Sequence, residues 1–125
     1  MDFVSTDLAP KAIGPYSQAV IHHGILYASG QIPLDPKTGE LVQGDFETQV
    51  RRVFENLSAV LAEGGSHFGR VLKATVYVTD LANFQTLNTI YAEYFGTHKP
   101  ARSTIQTAAL PKGATVEIDL IALAG

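Results

Sequence analysis

One arginine in this chain lies in a segment suited to binding an anion. Arg102 falls in the short extended run Pro100-Ala101-Arg102-Ser103-Thr104 and is one of only nine lysine and arginine residues. A charge buried in such a run needs a partner. Because a guanidinium can hold a carboxylate or a phosphate through two parallel hydrogen bonds, Arg102 is a candidate anion-binding group. A structural ion pair, with Glu117 as one available partner, is an equally good interpretation of these residues alone.

Two other polar residues fall within apolar patterns. Asn88 lies four residues after Phe84, on the apolar side of a predicted helix, so it is either a core asparagine satisfied by backbone or a residue that lines a cleft. Glu117 alternates with core-facing residues of a predicted strand, so its carboxylate points away from the helices. On a solvated face, Glu117 and Asp119 are ordinary surface acids. Against another subunit, the carboxylates enter a low dielectric and need a role, although none is assigned to Asp119.

Other chemistries find no support in the sequence. There is no cysteine, which excludes thiolate metal sites and a cysteine nucleophile. His22 and His23 are adjacent, so in a strand their rings should point to opposite faces and fail to chelate one metal. No Gly-x-Ser-x-Gly elbow, phosphate-binding loop or dinucleotide fingerprint occurs. We therefore expect no metal site.

Composition sets further limits. The 125 residues, 46% apolar and 17% charged, predict one domain over 1–125. A net charge of −3 makes nucleic acid a poor candidate partner. No window is apolar enough for a membrane span, and the first residues lack the pattern of a signal peptide. The expected compartment is the cytoplasm.

The elements follow from periodicity and turn residues. Residues 17–21 and 25–29 are predicted strands joined by a His23-Gly24 turn. A helix capped by Asp45 should run to Gly64-Gly65. A strand follows over 71–79, with Leu72, Ala74, Val76 and Val78 on one face. A second helix should run from residue 81 or 83 to 95, with final strands over 101–107 and 115–123.

This order, β-β-α-β-α-β-β, predicts an α+β fold with two helices on one face of a sheet. The other face of the sheet should then be solvated, yet the predicted strands carry apolar residues on both faces, such as Tyr27 opposite Leu26 and Ala28. We therefore expect the uncovered face to pack on another subunit.

Several segments together carry a resemblance that covers residues 9–122. They are Gly14-Pro15-Tyr16, Ser29-Gly30-Gln31-Ile32-Pro33, Asn88, the Arg102 run, Leu110-Pro111-Lys112-Gly113 and Glu117. In this ordered set the chain resembles the RidA (YjgF/Rid) family of small imine deaminases. The resemblance implies a homotrimer of chorismate-mutase-like subunits with active sites in the clefts between them.

The resemblance also implies a reaction without a cofactor. Family members hydrolyse 2-imino acids such as 2-iminobutanoate and 2-iminopropanoate, released by pyridoxal-phosphate dehydratases, to 2-keto acids and ammonia. Arg102 would bind the substrate carboxylate and Glu117 would orient the attacking water. The remaining substrate-binding positions are Tyr16, Ser29, Gly30, Gln31, Asn88 and Thr104, the last of which is Cys in many relatives.

Two alternatives to catalysis stay open. The same residues could form a small-carboxylate sensor or a chaperone-like trimer that performs no reaction. A binder needs Arg102 but has no need of a water-orienting carboxylate, so Glu117 favours the enzyme. RNA cleavage is disfavoured by the acidic charge.

Overall fold

A single mixed sheet of six strands carries both helices of this protein on one face. The computed structural model describes residues 1–125, and the strand order is β1-β2-β3-β6-β4-β5. The elements are β1 (Asp2–Val4), β2 (Ala19–His22), β3 (Ile25–Gln31), α1 (Phe46–Glu63), β4 (Val71–Val78), α2 (Phe84–Phe95), β5 (Ala101–Gln106) and β6 (Val116–Leu123). Neighbouring strands are antiparallel except β4 and β5, which are parallel and joined through α2. The predicted α+β class, with two helices on one face, is confirmed.

Helix α1 forms where its cap and its apolar stripe predict. The Asp45 carboxylate accepts a hydrogen bond of 2.9 Å from the Thr48 backbone N–H, which satisfies one of the free donors of the first turn. Gly64 ends the helix against the side chain of Leu26, where any Cβ would collide. The buried stripe of α1 packs on the sheet, in a core that also contains Ala74, Ile118 and Leu120.

The first strand was missed by the sequence prediction. Residues Asp2–Val4 pair antiparallel with β2, and only Val4 of the three is buried. Three residues are too few for an alternating pattern to stand out, and the pairing joins segments far apart in the sequence. The observed order is therefore β-β-β-α-β-α-β-β.

One residue of β4 lies on the other side of the strand from its predicted face. Leu72 was expected on the same face as the buried Ala74, but it is 44% exposed, whereas Val71 is only 1% exposed. The register against β6 shifts between Val71 and Lys73, which pair with the adjacent residues Ala122 and Ile121. This irregularity offsets the alternation at the start of β4, so Val71 takes the core position.

The face of the sheet opposite the helices is uncovered and partly apolar. Tyr27, Ile105 and Leu123 are 50%, 43% and 38% exposed on this open face. The same face carries Glu117 and Asp119, since the alternating residues of β6 are buried under the helices. Neither helix has the length and apolar character needed to cross a membrane.

Candidate functional site

Arg102 lies on the helix-covered face of the sheet and is held by α2. It is in register with the buried Ala74 of β4, so its side chain projects towards the helices. One terminal nitrogen of the guanidinium donates a hydrogen bond of 2.8 Å to the Asn88 side-chain oxygen. This contact leaves most of the guanidinium donors free, because an arginine has five N–H groups.

Two aromatic rings of α2 flank the same guanidinium. The Arg102 Cζ atom lies 4.8 Å from the ring centroid of Tyr91 and 5.5 Å from that of Phe84. Both distances are within the range of a cation–π contact, which is stronger away from water. The group formed by Asn88, Tyr91, Arg102 and Thr104 is called the Arg102 cluster below.

The Arg102 cluster contains two hydroxyls without a partner. The Tyr91 and Thr104 hydroxyl oxygens are buried and make no hydrogen bond within the chain. Burial raises the pKa of the Tyr91 phenol, and the nearby Arg102 charge acts in the opposite direction. Tyr91 was not among the predicted site residues, although its position three residues after Asn88 places it on the same side of the helix.

Glu117 lies on the open face of the sheet, beside a second group of predicted site residues. It is in register with Tyr77 of β4. A bulge between Ala28 and Gln31 disturbs β3 next to it, and a Cβ on Gly30 would collide with the Glu117 carboxylate. The glycine therefore lets the carboxylate lie directly against the backbone of β3.

A cleft of about 330 Å³ opens over this carboxylate. Four of the predicted site residues line it, namely Tyr16, Gly30, Gln31 and Glu117. The rest of the lining consists of the apolar residues Pro10, Ile13, Ile32, Leu34 and Pro111, the two lysines Lys11 and Lys112, and Gln18. It is called the Glu117 cleft below. Its mixed lining is typical of a small-molecule site.

Hydrogen bonds from the Gln18 side chain fix the segment that carries Tyr16. The Gln18 side chain is buried, accepts from the Thr6 backbone N–H and donates to the carbonyl oxygens of Thr6 and Pro10. The Tyr16 hydroxyl accepts from the Ile13 N–H at 3.2 Å, so its ring closes over the same loop. Sequence reasoning missed Gln18 as a residue that shapes the site.

The acidic pair on the open face has perturbed protonation. Burial, followed by the charge of Asp119, raises the pKa of Glu117. Burial also raises the pKa of Asp119, while Tyr77, Thr75 and Lys73 act in the opposite direction. A carboxylate with a raised pKa is a better base than an ordinary surface acid, provided that it is ionised.

Ser29 lies neither in the Arg102 cluster nor in the lining of the Glu117 cleft. Its hydroxyl donates a hydrogen bond of 2.6 Å to the Ser17 carbonyl oxygen, and its N–H donates to that of Gln18. These bonds tie the bulged part of β3 to the segment before β2. Within this chain, Ser29 supports the backbone that presents Gly30 and does not line the cleft.

Lys112 lines the cleft, although the sequence prediction named it only as part of the segment Leu110-Pro111-Lys112-Gly113 and gave it no role. It is one of two non-glycine residues with positive φ, at 58°, and its ammonium donates to the Gly39 carbonyl oxygen at 3.4 Å. A left-handed lysine is uncommon. With Lys11 it places positive charge beside the Glu117 cleft.

The two groups do not meet within one chain. Arg102 of β5 and Glu117 of β6 are separated by β4 and project from opposite faces of the sheet. Two strand spacings alone amount to about 10 Å. The proposed Arg102–Glu117 ion pair is therefore wrong for a single chain, and the only ion pairs present join Arg51 to Glu47 and Glu93.

The expectation for the two adjacent histidines was wrong in its geometry. His23 has a positive φ of 51° in the turn after β2, and the His22 and His23 ring centroids lie 4.0 Å apart. The turn, which departs from strand geometry, brings the rings together. No group of three or more His, Cys, Asp or Glu side chains is arranged to hold a metal ion.

Known proteins share both the sequence and the fold. The family model described as Endoribonuclease L-PSP matches residues 6–124. A human protein named 2-iminobutanoate/2-iminopropanoate deaminase is 44% identical over 122 residues, which cover 98% of this chain and 89% of that protein. A structure of RidA from a Psychrobacter species superposes with a TM-score of 0.95 at 42% identity, covering 98% of this chain and 99% of that one. E. coli TdcF with bound serine gives a TM-score of 0.94 at 40% identity, with full coverage of both chains.

Proposed function

The chain belongs to the Endoribonuclease L-PSP family, which includes the RidA proteins, and on this basis we propose that it hydrolyses 2-imino acids to 2-keto acids and ammonia. The substrates would be small imines such as 2-iminobutanoate and 2-iminopropanoate, in equilibrium with their enamine tautomers. The observation that carries the proposal is the presence of two complementary groups. One is a guanidinium without an acidic partner, and the other is a half-buried carboxylate in a cleft.

The Arg102 cluster supplies the grip on the substrate carboxylate. Asn88 occupies one N–H of the guanidinium and fixes its orientation, which leaves a fork of donors for a bidentate contact. The Tyr91 and Phe84 rings cover the group and limit its access to water. A charge-assisted hydrogen bond of this kind contributes about 1.5–3 kcal/mol.

Glu117 supplies the base. The imine carbon is already electrophilic, so a water molecule positioned against it is the nucleophile. Glu117 takes a proton from this water as the water oxygen bonds to carbon, and the proton passes to the substrate nitrogen to give a carbinolamine. Glu117 then carries the remaining hydroxyl proton to the same nitrogen, so that the carbon–nitrogen bond breaks, the carbonyl forms, and ammonia and the 2-keto acid are released.

A second copy of the chain is needed to bring these groups to one small molecule. A three- or four-carbon substrate cannot contact both Arg102 and Glu117 of one chain, because they lie on opposite faces of the sheet. We therefore assign the Arg102 cluster of one subunit and the Glu117 cleft of a neighbour to each site. The exposed apolar residues of the open face support assembly, and a homotrimer is the proposed form.

The test combines an activity assay with subunit mixing. A threonine or serine dehydratase generates the imine, and keto-acid formation is followed with the wild-type protein, Arg102→Ala and Glu117→Gln. Each variant alone is expected to be far less active than the wild type. Co-refolded in equal amounts, the two should regain about a quarter of the wild-type activity, since each site takes one group from each of two subunits drawn at random.

The outcomes separate the two parts of the proposal. Absence of acceleration by wild-type oligomer would refute the deaminase. Acceleration by the wild type without recovery in the mixture would show that one subunit supplies both groups, and would refute the shared site.

A binding function without catalysis is the second candidate. The structure of E. coli TdcF contains bound serine, which carries a carboxylate but is an amine and not an imine. If this chain were only a binder, Arg102→Ala would abolish binding of a small carboxylate, while Glu117→Gln would change nothing that is measured. A slowed reaction with retained ligand binding in Glu117→Gln favours the enzyme.

A further inference from the structure

We propose that the hydroxyl of Tyr91 is a substrate-binding group, which donates a hydrogen bond to the same carboxylate that Arg102 holds. The inference rests on the proposed function, because it assumes that a carboxylate occupies the Arg102 cluster. It adds a ligand contact from α2 to a site otherwise assigned through Arg102 and Asn88.

The position of the ring supports this assignment. The Tyr91 centroid lies 4.8 Å from the Arg102 Cζ atom, closer than that of Phe84. On its other side the ring stacks on Phe95, with centroids 4.4 Å apart, and it contacts Phe54 edge-on. Tyr91 is therefore fixed between the aromatic core and the guanidinium, so that its hydroxyl has little freedom to seek a partner elsewhere.

The state of the hydroxyl gives the second line of support. Its oxygen is buried and has no hydrogen-bond partner in the chain. Leaving such a group unpaired is costly, so an unpaired buried hydroxyl calls for a partner outside the chain. The phenol pKa is raised by burial, which keeps the proton on the oxygen and leaves it a donor near neutral pH.

A neighbouring tyrosine shows what a purely structural role looks like. Tyr94 belongs to the same helix and the same aromatic group, and stacks on Phe54 with centroids 4.7 Å apart. Its hydroxyl donates a hydrogen bond of 2.9 Å to Glu55, so it is already satisfied. Tyr94 makes no contact with Arg102 of the kind that Tyr91 makes, and it serves as the matched control.

The experiment compares Tyr91→Phe and Tyr94→Phe, with pyruvate as the probe. Pyruvate affinity is measured by calorimetry on the assembled protein, together with the thermal midpoint without ligand and the oligomeric state. Tyr91→Phe should weaken pyruvate binding about tenfold or more, as expected for a hydrogen bond to a charged group. Its thermal midpoint without ligand should be unchanged or higher, because the substitution removes an unpaired buried hydroxyl. Tyr94→Phe should bind pyruvate like the wild type.

Each result decides the proposal. Unchanged pyruvate affinity in Tyr91→Phe, with binding abolished in Arg102→Ala, would overturn the role of the hydroxyl and leave the proposed function intact. A lowered thermal midpoint or a dissociated oligomer in Tyr91→Phe would overturn it too, because the hydroxyl would then bond to the protein. Absence of pyruvate binding by the wild type would overturn the carboxylate contact and with it the role of the hydroxyl, whereas the deaminase itself is refuted only by the absence of acceleration in the imine assay.

Discussion

The Glu117 carboxylate occupies the space next to Gly30 in which any other residue would place its Cβ atom. The backbone of Gly30 is not in the left-handed region, so an alanine would be accepted there except for this collision. The position of the carboxylate in the cleft therefore explains the glycine, whereas the backbone conformation at this position does not require one.

Gly30→Ala should therefore move the Glu117 side chain. We expect at least a tenfold loss of deamination, with pyruvate affinity retained because the Arg102 cluster is untouched. The collision should vanish in the Glu117→Ala background, where adding Gly30→Ala should change the free energy of unfolding by less than about 0.5 kcal/mol. Equal stability losses in both backgrounds, measured by urea unfolding, would show that Gly30 is needed for another reason.

The fork geometry of Arg102 gives the second prediction. Arg102→Ala should lower kcat/KM by about two orders of magnitude or more, and Arg102→Lys should restore only part of it, because an ammonium cannot make the bidentate contact. Arg51→Ala is the control, since it removes a surface arginine with two ion pairs and no part in the site. Full activity in Arg102→Lys would indicate that charge alone is sufficient.

The raised pKa of Glu117 predicts a pH-dependent effect on stability. When the pKa of an acid is higher in the folded state than in the unfolded state, ionisation of that acid lowers the stability of the fold. This penalty is complete above the folded pKa, and it disappears as pH falls below the ordinary value near 4.5. Glu117→Gln should therefore raise the thermal midpoint at pH 7, with a gain that shrinks as pH falls towards 4.5. A gain independent of pH would show that ionisation of Glu117 is not its cause.

The irregular start of β4 gives a prediction for packing. Val71→Ala should lower the free energy of unfolding by about 2 kcal/mol, because Val71 is buried in the core. Leu72→Ala should cost about 0.5 kcal/mol or less, because Leu72 is 44% exposed. Chemical denaturation of both variants would distinguish this register from the regular alternation in which the costs are reversed.

Much of the fold was accessible from the sequence because local signals agreed. The Asp45 cap, the apolar stripe and the closing glycines all indicate α1, and the alternation around Glu117 correctly placed its carboxylate away from the helices. Leu72 was misplaced because a bulge leaves no mark in an alternating pattern. The strand at Asp2–Val4 was missed because its pairing with β2 is not local.

The site was harder to predict than the fold, since it depends on which faces meet. Arg102 and Glu117 can each be recognised by residue type, but the position of Arg102 on the face opposite Glu117 follows only from the register of β4 with β5. Tyr91 fits an apolar stripe as well as any tyrosine does. Only the buried, unpaired state of its hydroxyl distinguishes it.

If the sites are shared as proposed, the uncovered face of the sheet makes catalytic activity depend on protein concentration. With each site divided between two copies, an isolated subunit would be folded yet silent, and specific activity would fall on dilution below the dissociation constant of the assembly. Newly made chains would then have no deaminase activity until they had assembled with other copies. The rate of turnover would therefore measure assembly as directly as a hydrodynamic measurement does.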